Sequence, residues 1–274
     1  MNTILLWIAK AVNRLFSRGF QREAYFEAWR YIYRLGLTGM GRIQGNPIEQ
    51  NGELDVMRLI SQKQKKELVA FDVGANVGHY ATHLLQAWSG RSVSLHLFEP
   101  STSNGKRLHR DLADKQSDLV RIHINVMALG DEDKEAYLYA DEPGSDLASL
   151  HDLRTPIRSF DESAREWVRV TTLDSYCRHT GVGQIDLLKI DVEGAEFQVL
   201  KGAESMIRQG AIEAIQFEFG AGNITSRVFF RDFWELLSDQ YQFHQVVKGG
   251  LIPIPVYSSE WEIFRTANYL LIRK

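Results

Sequence analysis

The stretch LVAFDVGANVGHYATHL, residues 68 to 84, runs from an apolar segment through a glycine-containing turn into a helix-like pattern. A short apolar run that ends at a glycine predicts a buried strand, and Gly74 directly after it lets the backbone turn tightly. Gly78 then allows the following helix to pack closely. The N–H groups at the start of that helix suit an anionic or carboxylate group. The stretch therefore predicts a strand–turn–helix unit that holds a ligand.

Apolar strands and helices alternate from this unit to the C-terminus. Strand-like segments are LVAFDV, SVSLHLFEP, VRIHINVMAL, IDLLKIDV, AIEAIQFEF, QFHQVV and NYLLIRK, while KEAYLYA and EWVRVTTL are β-rich segments around a polar insertion. This alternation predicts an α/β fold with a doubly wound, largely parallel sheet covered on both faces. Such sheets bind ligands beyond the carboxyl ends of their strands, so we expect the chemistry to follow Val73, Phe98, Leu129 and Ile190.

The composition is that of an ordinary globular enzyme. The chain has 274 residues, of which 44% are hydrophobic and 24% charged, with a net charge of −3. This charge offers no global attraction for nucleic acid, and no nucleic-acid partner is expected. The single cysteine, Cys177, excludes an internal disulfide and the usual multi-cysteine zinc sites. We expect a cytoplasmic protein, because no apolar run is long enough to span a bilayer.

Residues 1–50 are predicted to form an N-terminal helical extension, and residues 51–274 the ligand-binding domain. In the first 20 residues, apolar side chains recur at helical spacing, with Lys10, Arg14 and Arg18 among them. This pattern is typical either of a helix packed on its own domain or on a second subunit, or of a helix on an anionic membrane surface. Residues 1–20 are therefore candidates for self-association or for peripheral attachment at the inner face of the membrane.

The residues around the glycine turn discriminate between ligands. A triphosphate-binding loop would have Lys and then Ser or Thr after its last glycine, whereas His79 and Tyr80 follow Gly78. The spacing also departs from the dinucleotide fingerprint G-x-G-x-x-G, because Asn76 stands where its second glycine would be. Asp72 would repel a pyrophosphate but suits a ligand that carries an ammonium group.

Glu99 ends the next strand, in LHLFEP, and its carboxylate can accept hydrogen bonds from both hydroxyls of a ribose. A ribose, an ammonium group and no pyrophosphate together indicate S-adenosylmethionine as the cofactor. The alternative is a structural glycine turn beside an unrelated surface glutamate. The cofactor-binding prediction rests on Asp72 and Glu99 ending successive strands, and it includes Asn76 within the turn.

The segment IDLLKIDVEGAEFQVLKGAE concentrates charge around a strand that should be buried. Lys189 lies in its apolar run and needs a partner, because an unpaired buried charge is costly. Asp191 and Glu193 follow the strand and should face the cofactor, which makes them candidate site residues. The alternative is a cluster of ion-paired, helix-capping residues.

Several motifs together resemble the FkbM family of S-adenosylmethionine-dependent methyltransferases. They are FDVGANVGHY, FEPSTSN, NVMALGD, TTLDSY and above all LLKIDVEGAEFQVLKGA, and the resemblance covers about residues 68 to 220. It implies a class I methyltransferase (Rossmann-like) fold with a seven-stranded sheet whose last strand is antiparallel. It also implies O-methyl transfer, often to a sugar or polyketide hydroxyl in a polysaccharide or natural-product pathway. We expect the acceptor to be a hydroxyl of a sugar, glycan or glycolipid intermediate in polysaccharide biosynthesis.

The resemblance further implies roles for residues at matching positions. The methionine end of the cofactor would contact the turn after the first strand, the ribose the end of the second, and the adenine the NVMALGD segment. These positions are Asp72 and Gly74 for the methionine end, Glu99 for the ribose, Met127 and Ala128 for the adenine with Asn125 or Asp131 beside it, and Asp191 for the border of the transferred methyl group.

An alcohol is a poor nucleophile and benefits from a base that accepts its proton. Asp191 and Glu193 are the first candidates for this base, and Glu218, which ends the adjacent strand, is the next. The carboxylates of Asp191, Glu193 and Glu196 could also bind Mg²⁺. Glu196 is expected on the helix away from Asp191, so no metal is predicted.

Two other functions use the same sheet. One is a nicotinamide-dependent oxidoreductase, and the other is a non-catalytic S-adenosylmethionine-binding module. Stabilisation by S-adenosylhomocysteine but not by NAD(H) would separate the methyltransferase from the oxidoreductase.

Overall fold

The computed structural model describes residues 7, 10, 23–42, 47–140, 144–145, 148–151 and 165–274. The chain divides into two compact units, Met1–Ile43 and Gln44–Lys274. The division falls a few residues before the boundary predicted between residues 50 and 51. The short helix Ile48–Asn51 belongs to the second unit because Ile48 packs against its core.

The first unit contains the helix α1 (Phe26–Gly39), which follows a 3-10 turn at Glu23–Tyr25. Its large side chains, such as Tyr31 and Ile32, are mostly exposed. The extension predicted for residues 1–50 thus contains a helix. The segment predicted for membrane attachment or self-association, residues 1–20, lies outside the described residues except for positions 7 and 10. In the described part of the chain, no helix combines the length and the apolar content needed to cross a bilayer.

The second unit is built on a central sheet of eight strands. They are β1 (Glu67–Val73), β2 (Ser92–Phe98), β3 (Val120–Asn125), β7 (Leu187–Ile190), β8 (Ala214–Phe219), β9 (Tyr241–Val247), β10 (Gly250–Ile254) and β11 (Ala267–Arg273). Their order across the sheet is β10-β9-β11-β8-β7-β1-β2-β3.

The run from β3 to β8 is parallel, and the last strand of the chain, β11, is inserted antiparallel between β8 and β9. This arrangement confirms the predicted doubly wound sheet and its antiparallel last strand. The number of strands differs from the predicted seven, because β10 turns back on β9 as an antiparallel hairpin and adds an eighth at the edge.

A second sheet consists of three strands, β4 (Ala128–Leu129), β5 (Lys134–Leu138) and β6 (Glu166–Thr171). Their order across this sheet is β4-β6-β5. The apolar segment VRIHINVMAL, read as one strand, is therefore divided between two sheets. Asn125 ends β3, and its side chain donates to the carbonyl oxygen of Leu97 at 3.0 Å. Ala128, three residues later, already pairs with β6.

Helices cover both faces of the central sheet. Val56, Leu84 and Leu108 belong to one apolar core, and Cys177, Val199 and Phe233 to the other, which lies on the opposite face. The helices of this unit are α2 (Ile48–Asn51), α3 (Glu53–Ser61), α4 (His79–Ala87), α5 (Thr102–Asp111), α6 (Leu173–Thr180), α7 (Glu196–Lys201), α8 (Glu204–Arg208), α9 (Gly222–Ser226) and α10 (Phe230–Leu237).

The segment AEFQVLKGAESMIRQG forms two short helices, α7 and α8, rather than one continuous helix. The chain packs tightly at the break, since a β-carbon on Gly202 would lie 1.9 Å from the carbonyl oxygen of Gly130. Gly202 therefore brings the loop after β4 directly against the end of α7.

A buried polar cluster lies beside β2. The His96 ring is 3% exposed and contacts Tyr176 Oη at 2.7 Å through Nδ1 and Ser94 Oγ at 3.1 Å through Nε2. Burial, with smaller contributions from His123 and Arg121, lowers the pKa of His96 to about 3. His96 is therefore neutral in the folded protein and becomes protonated on unfolding in mildly acidic solution.

This cluster makes the stability of the protein depend on pH. Between about pH 6.5 and pH 3 the unfolded state binds the His96 proton and the folded state does not, so the free energy of unfolding falls as the pH falls. One such group contributes a slope of at most ~1.4 kcal/mol per pH unit. We expect the variant His96→Gln to show a shallower pH dependence than the wild type in urea denaturation between pH 6.5 and 4. Equal slopes for His96→Gln and the wild type would contradict the assignment.

Candidate active site

The turn after β1 is held against the loop after β7. Gly74 has a φ of 84°, in the left-handed region, and a β-carbon there would lie 1.8 Å from the carbonyl oxygen of Asp191. The N–H groups of Gly74 and Ala75 donate to the carbonyl oxygen of Phe98 at 2.9 and 3.0 Å. Only glycine fits this position, and it brings the ends of β1, β2 and β7 together.

Glu99 fixes the inner side of this turn. The carboxylate is 5% exposed and accepts the N–H of Asn76 through Oε2 and the N–H of Ser101 through Oε1, both at 2.9 Å. Burial raises the pKa of Glu99, and the two backbone hydrogen bonds oppose that shift. Each carboxylate oxygen has a second lone pair, so Glu99 can also accept hydrogen bonds from a ligand.

The other two predicted residues of the turn have different surroundings. Asn76, with a φ of 48°, lines the cleft described below, and its Oδ1 accepts a hydrogen bond from Asn104 Nδ2 at 3.2 Å. Gly78 lies behind the turn, where a β-carbon would approach Leu108 Cδ2 to 2.9 Å. Gly78 thus allows α4 to pack on α5, in agreement with the role of close helix packing expected from the sequence.

Asp72 lies beneath the turn, fully buried, and faces Lys189 across the β1–β7 pair. Lys189 Nζ lies 3.4 Å from Asp72 Oδ1 and 3.2 Å from Asp191 Oδ2. Burial raises the pKa of Asp72, and the Lys189 ammonium opposes the shift. The partner that the sequence required for Lys189 is therefore a pair of aspartates, one inside the sheet and one at its edge.

Three carboxyl groups converge at the carboxyl ends of β7 and β8. One oxygen each of Asp191, Glu193 and Glu218 lies within 4.8 Å of the others. Burial, and then the negative charges of Asp191 and Glu193, raise the pKa of Glu218 well above its ordinary value. Glu193 has a φ of 52°, a conformation that is costly for a residue with a side chain.

Glu196, the third residue weighed for Mg²⁺, is not a member of this group. Its Oε1 accepts the N–H groups of Val192 at 3.2 Å and Gly194 at 2.9 Å, and its Oε2 accepts Asn223 Nδ2 at 3.2 Å. Burial raises the pKa of Glu196 to about 7. Glu196 thus fixes the conformation of the loop that carries Asp191 and Glu193.

A cleft with a volume of about 270 Å³ opens over these strand ends. Of the predicted site residues, Gly74, Asn76, Glu99, Ala128, Asp191 and Glu193 line it. Asp72, Gly78, Met127 and Glu218 lie outside its lining. For the acidic position beside adenine, neither Asn125 nor Asp131 reaches the cleft wall; Asp131 is paired with Lys201 at 3.1 Å.

Several lining residues had no role in the cofactor and base assignments made from the sequence, and two groups of them make polar contacts. One is the segment around Ser149, whose Oγ donates to the carbonyl oxygen of Glu193 at 2.9 Å. The other is Glu53 on α3, which accepts Gln216 Nε2 at 2.6 Å and Asn51 Nδ2 at 2.7 Å. Glu53 shares the buried face of α3 with Val56, Met57 and Ile60. The sequence could have indicated Glu53 as a site residue, because its carboxylate stands among apolar residues at helical spacing. The sequence around Ser149 contains no comparable pattern.

The geometry makes a direct prediction for Glu99. A glutamine at this position keeps the shape but can accept only one of the two N–H groups, and its NH₂ would face the other donor. We expect Glu99→Gln to weaken binding of S-adenosylhomocysteine by about tenfold or more, because a charge-assisted hydrogen bond is lost. Isothermal titration calorimetry measures this, with the surface variant Glu132→Gln as control. Equal affinities of the two variants would show that Glu99 does not shape the cofactor site.

Comparison with known proteins identifies the family. The methyltransferase FkbM domain matches residues 72–244, more than half of the chain. The chain belongs to this family.

A curated relative, the 2-O-methyltransferase NoeI of Sinorhizobium fredii, is 27% identical over 160 residues. These residues make up 55% of this chain and 63% of NoeI, so the chain spans less than two thirds of that relative. A solved FkbM methyltransferase from Methylobacillus flagellatus is 16% identical with a TM-score of 0.45, covering 76% of this chain and 44% of the other. The SMU.1697c protein of Streptococcus mutans, solved in complex with S-adenosylhomocysteine, is 8% identical with a TM-score of 0.45, covering 81% and 98%.

The chain thus carries a methyltransferase domain of the FkbM family, and S-adenosylmethionine is the cofactor of this domain. The residues at the cleft suit this group. Glu99 presents a carboxylate at the end of β2, and the turn at Gly74 lets the backbone itself form the wall between Glu99 and Asp191. A carboxylate for hydroxyl groups and an acidic wall for a positively charged ligand are the groups that the cofactor requires.

Proposed function

We propose that the protein transfers the methyl group to a hydroxyl of a sugar, a glycan or a glycolipid intermediate in polysaccharide biosynthesis. The observation that carries the proposal is Asp191, a carboxylate on the cleft wall directly beside the cofactor turn at Gly74. Its side chain is 37% exposed, so that it is open to an acceptor. The 2-O-methyltransferase activity in the name of NoeI supports oxygen as the acceptor atom.

Some residues of the cleft bind the cofactor, and another activates the acceptor. Glu99 binds the ribose hydroxyls, Gly74 and Asn76 form the turn against the methionine end, and Ala128 borders the adenine. S-adenosylmethionine, when bound, supplies an electrophilic methyl group. Asp191 accepts the proton of the acceptor hydroxyl as the oxygen becomes the nucleophile. Holding that oxygen in line with its target supplies much of the rate.

Glu193 and Glu218 remain the other candidates for the base. The raised pKa of Glu218 favours its protonated form, which can donate a hydrogen bond but cannot accept the acceptor proton. Glu193 lines the cleft in a strained conformation that points to a positioning role. We therefore assign the base to Asp191, with Glu218 as the protonated neighbour.

The cleft chemistry also bears on the class of acceptor. The carboxylates of Asp191 and Glu193 would repel a phosphate backbone, which supports a carbohydrate acceptor over a nucleic acid.

A panel of simple glycosides tests the proposal. The protein is incubated with S-adenosylmethionine carrying a ¹⁴C-methyl group and a set of methyl glycosides, each beside its 2-deoxy counterpart. We expect label in at least one glycoside, and loss of label in the 2-deoxy form if the transfer is to the 2-hydroxyl. S-adenosylhomocysteine should stabilise the protein against heat, whereas NAD(H) should not. Stabilisation by NAD(H) together with an unlabelled panel would contradict the proposal and favour an oxidoreductase.

We further propose that residues 1–20 attach the enzyme to the inner face of the membrane or to a second copy of the chain. Lys10, Arg14 and Arg18 among apolar residues support attachment to an anionic surface. Co-sedimentation of the full chain with anionic but not with neutral vesicles is the expected result. A monomer that sediments with neither would contradict both forms of the proposal.

A further inference from the structure

A row of polar side chains crosses the face of the central sheet that α3 and α4 cover. Asp72, Lys189 and Gln216 are direct neighbours on β1, β7 and β8, and each is 5% exposed or less. Glu53 of α3 accepts Gln216 Nε2 at 2.6 Å, and the Tyr80 hydroxyl of α4 donates to Gln216 Oε1 at 3.2 Å. Polar groups buried in an otherwise apolar core cost free energy, so these five side chains, the polar row, require an explanation.

The charges of the polar row are unevenly matched. Lys189 Nζ lies 3.4 Å from Asp72 Oδ1 and 3.2 Å from Asp191 Oδ2, so two aspartates share its charge. In the part of the chain that the structure describes, the polar partners of the Glu53 carboxylate are the neutral amides of Asn51 and Gln216, and no cation forms an ion pair with it.

Glu53 is 8% exposed, and a carboxylate in this position is costly as an ion. Burial raises the pKa of Glu53, and the charge of Lys189 opposes that shift. A cation supplied by a ligand would offset the cost of burying the Glu53 carboxylate. This carboxylate is therefore the group of the polar row that is suited to a positively charged ligand.

Glu53 also lies on the cleft side of the polar row. Glu53, Tyr80 and Lys189 line the cleft, whereas Asp72 and Gln216 lie outside its lining. Each carboxylate oxygen of Glu53 accepts one hydrogen bond from an amide and has a second lone pair for a ligand. The carboxylate is thus buried in the protein but still open to the contents of the cleft.

The first turn of α3 holds Glu53 in place. Gly52, directly before this helix, has a φ of 93°, and a β-carbon there would lie 2.4 Å from the carbonyl oxygen of Val247. Asn51 contacts Glu53 twice, because its Oδ1 accepts the Glu53 N–H at 2.9 Å and its Nδ2 donates to Oε2 at 2.7 Å. The Glu53 side chain is ordered by these contacts, so a ligand that binds it pays little for ordering it.

We propose that Glu53 binds the ammonium group at the methionine end of S-adenosylmethionine. The sequence indicated Asp72 for this group, but Asp72 is fully buried beneath the turn and does not line the cleft. Glu53 lines the same cleft as Gly74, the residue of the turn against the methionine end. An ammonium–carboxylate contact is a charge-assisted hydrogen bond, the strong type. The inference concerns the cofactor alone and holds whichever hydroxyl accepts the methyl group.

The test compares S-adenosylhomocysteine with two analogues that each lack one group of its amino acid. One is 5′-S-(3-carboxypropyl)-5′-thioadenosine, which lacks the amine, and the other is 5′-S-(3-aminopropyl)-5′-thioadenosine, which lacks the carboxylate. Isothermal titration calorimetry measures the affinity of each ligand for the full chain at neutral pH. We expect the wild type to bind S-adenosylhomocysteine about tenfold or more tighter than the analogue without the amine.

Glu53→Gln should reduce this preference for the amine to about threefold or less, because the ligand ammonium loses its charged partner. The analogue without the carboxylate should lose affinity in this variant as S-adenosylhomocysteine does. A purely structural role of Glu53 would instead lower the affinities of all three ligands alike and leave the preference unchanged. That result, or a wild type that binds S-adenosylhomocysteine and the analogue without the amine equally, would overturn the inference.

A second variant keeps the hydrogen bonds of the polar row. In Glu53→Gln alone, the new amide would turn its NH₂ group towards the NH₂ group of Asn51 or Gln216. In Glu53→Gln/Gln216→Glu, Asn51 and Tyr80 both keep an acceptor, and the carboxylate moves to a position beside Lys189 that is outside the cleft lining. This exchange should also remove the preference for the amine, and a wild-type preference in it would contradict the assignment.

Glu49→Gln is the matched control, because Glu49 on α2 is a glutamate with a 56% exposed side chain outside the cleft lining. It should keep the wild-type preference for the amine. The measurements need no acceptor, so failure of the proposed function would show separately, as an unlabelled glycoside panel.

Discussion

Gly74→Ala should abolish binding of S-adenosylhomocysteine and lower the stability of the protein. The new β-carbon would lie 1.8 Å from the carbonyl oxygen of Asp191, a backbone atom in a loop that Glu196 holds fixed. The φ of 84° adds the cost of a left-handed conformation. Together the collision and the conformation should lower the free energy of unfolding by roughly 2–5 kcal/mol. Urea denaturation and isothermal titration calorimetry measure the two effects.

A matched control separates collision from backbone strain. Gly90 has a φ of 78°, and no atom lies within 4 Å of a β-carbon built on it. Gly90→Ala should therefore cost only the left-handed conformation, about 1–2 kcal/mol, and leave cofactor affinity unchanged. If Gly74→Ala bound the cofactor as tightly as Gly90→Ala, the contact between the two strand ends would not shape the site.

Asp191→Asn should lower the turnover of methyl transfer by about 10²–10⁴-fold, the range that a general base contributes. The amide keeps the size of the side chain but cannot accept the acceptor proton. Cofactor affinity should remain within a few-fold of the wild type, because Glu99 and the glycine turn are unchanged. Turnover is measured with a glycoside labelled in the panel, and S-adenosylhomocysteine binding by calorimetry.

The control for this variant is Asp114→Asn, an aspartate with a 75% exposed side chain next to Lys115. It should leave turnover unchanged. Equal turnover of Asp191→Asn and the wild type would remove Asp191 from the mechanism and leave Glu193 or Glu218 as the base. A joint loss of turnover and cofactor affinity would assign Asp191 to cofactor binding instead.

Much of the fold could be predicted because its determinants are local. The apolar run before Gly74 and the glycine itself specify a buried strand and a tight turn, and both are present. The same holds for β7, where Lys189 in an apolar run required a partner and has Asp72 and Asp191. The eighth strand was missed because β10, Gly250–Ile254, contains a proline and forms only by folding back on β9.

The remaining parts of the site depend on contacts between distant segments. Ser149 reaches the loop after β7 from the connection between β5 and β6, and nothing in its local sequence indicates this. Glu196 was considered as a metal ligand from its spacing, whereas its orientation towards the N–H groups of Val192 and Gly194 is set by the turn at Gly194. Spacing along the chain predicted which residues lie near one another at the end of β7. The tertiary fold determined which of their atoms face the cleft and which face the backbone of the loop.

The most direct test of the account is the atom that receives the methyl group. S-adenosylmethionine with a ¹³C-methyl group is incubated with the protein and a glycoside labelled in the panel, and the product is examined by ¹³C NMR. The account predicts one new methyl ether carbon on the sugar, formed together with one equivalent of S-adenosylhomocysteine and one released proton. A methyl group on nitrogen or carbon, or cofactor turnover without a new ether, would contradict it.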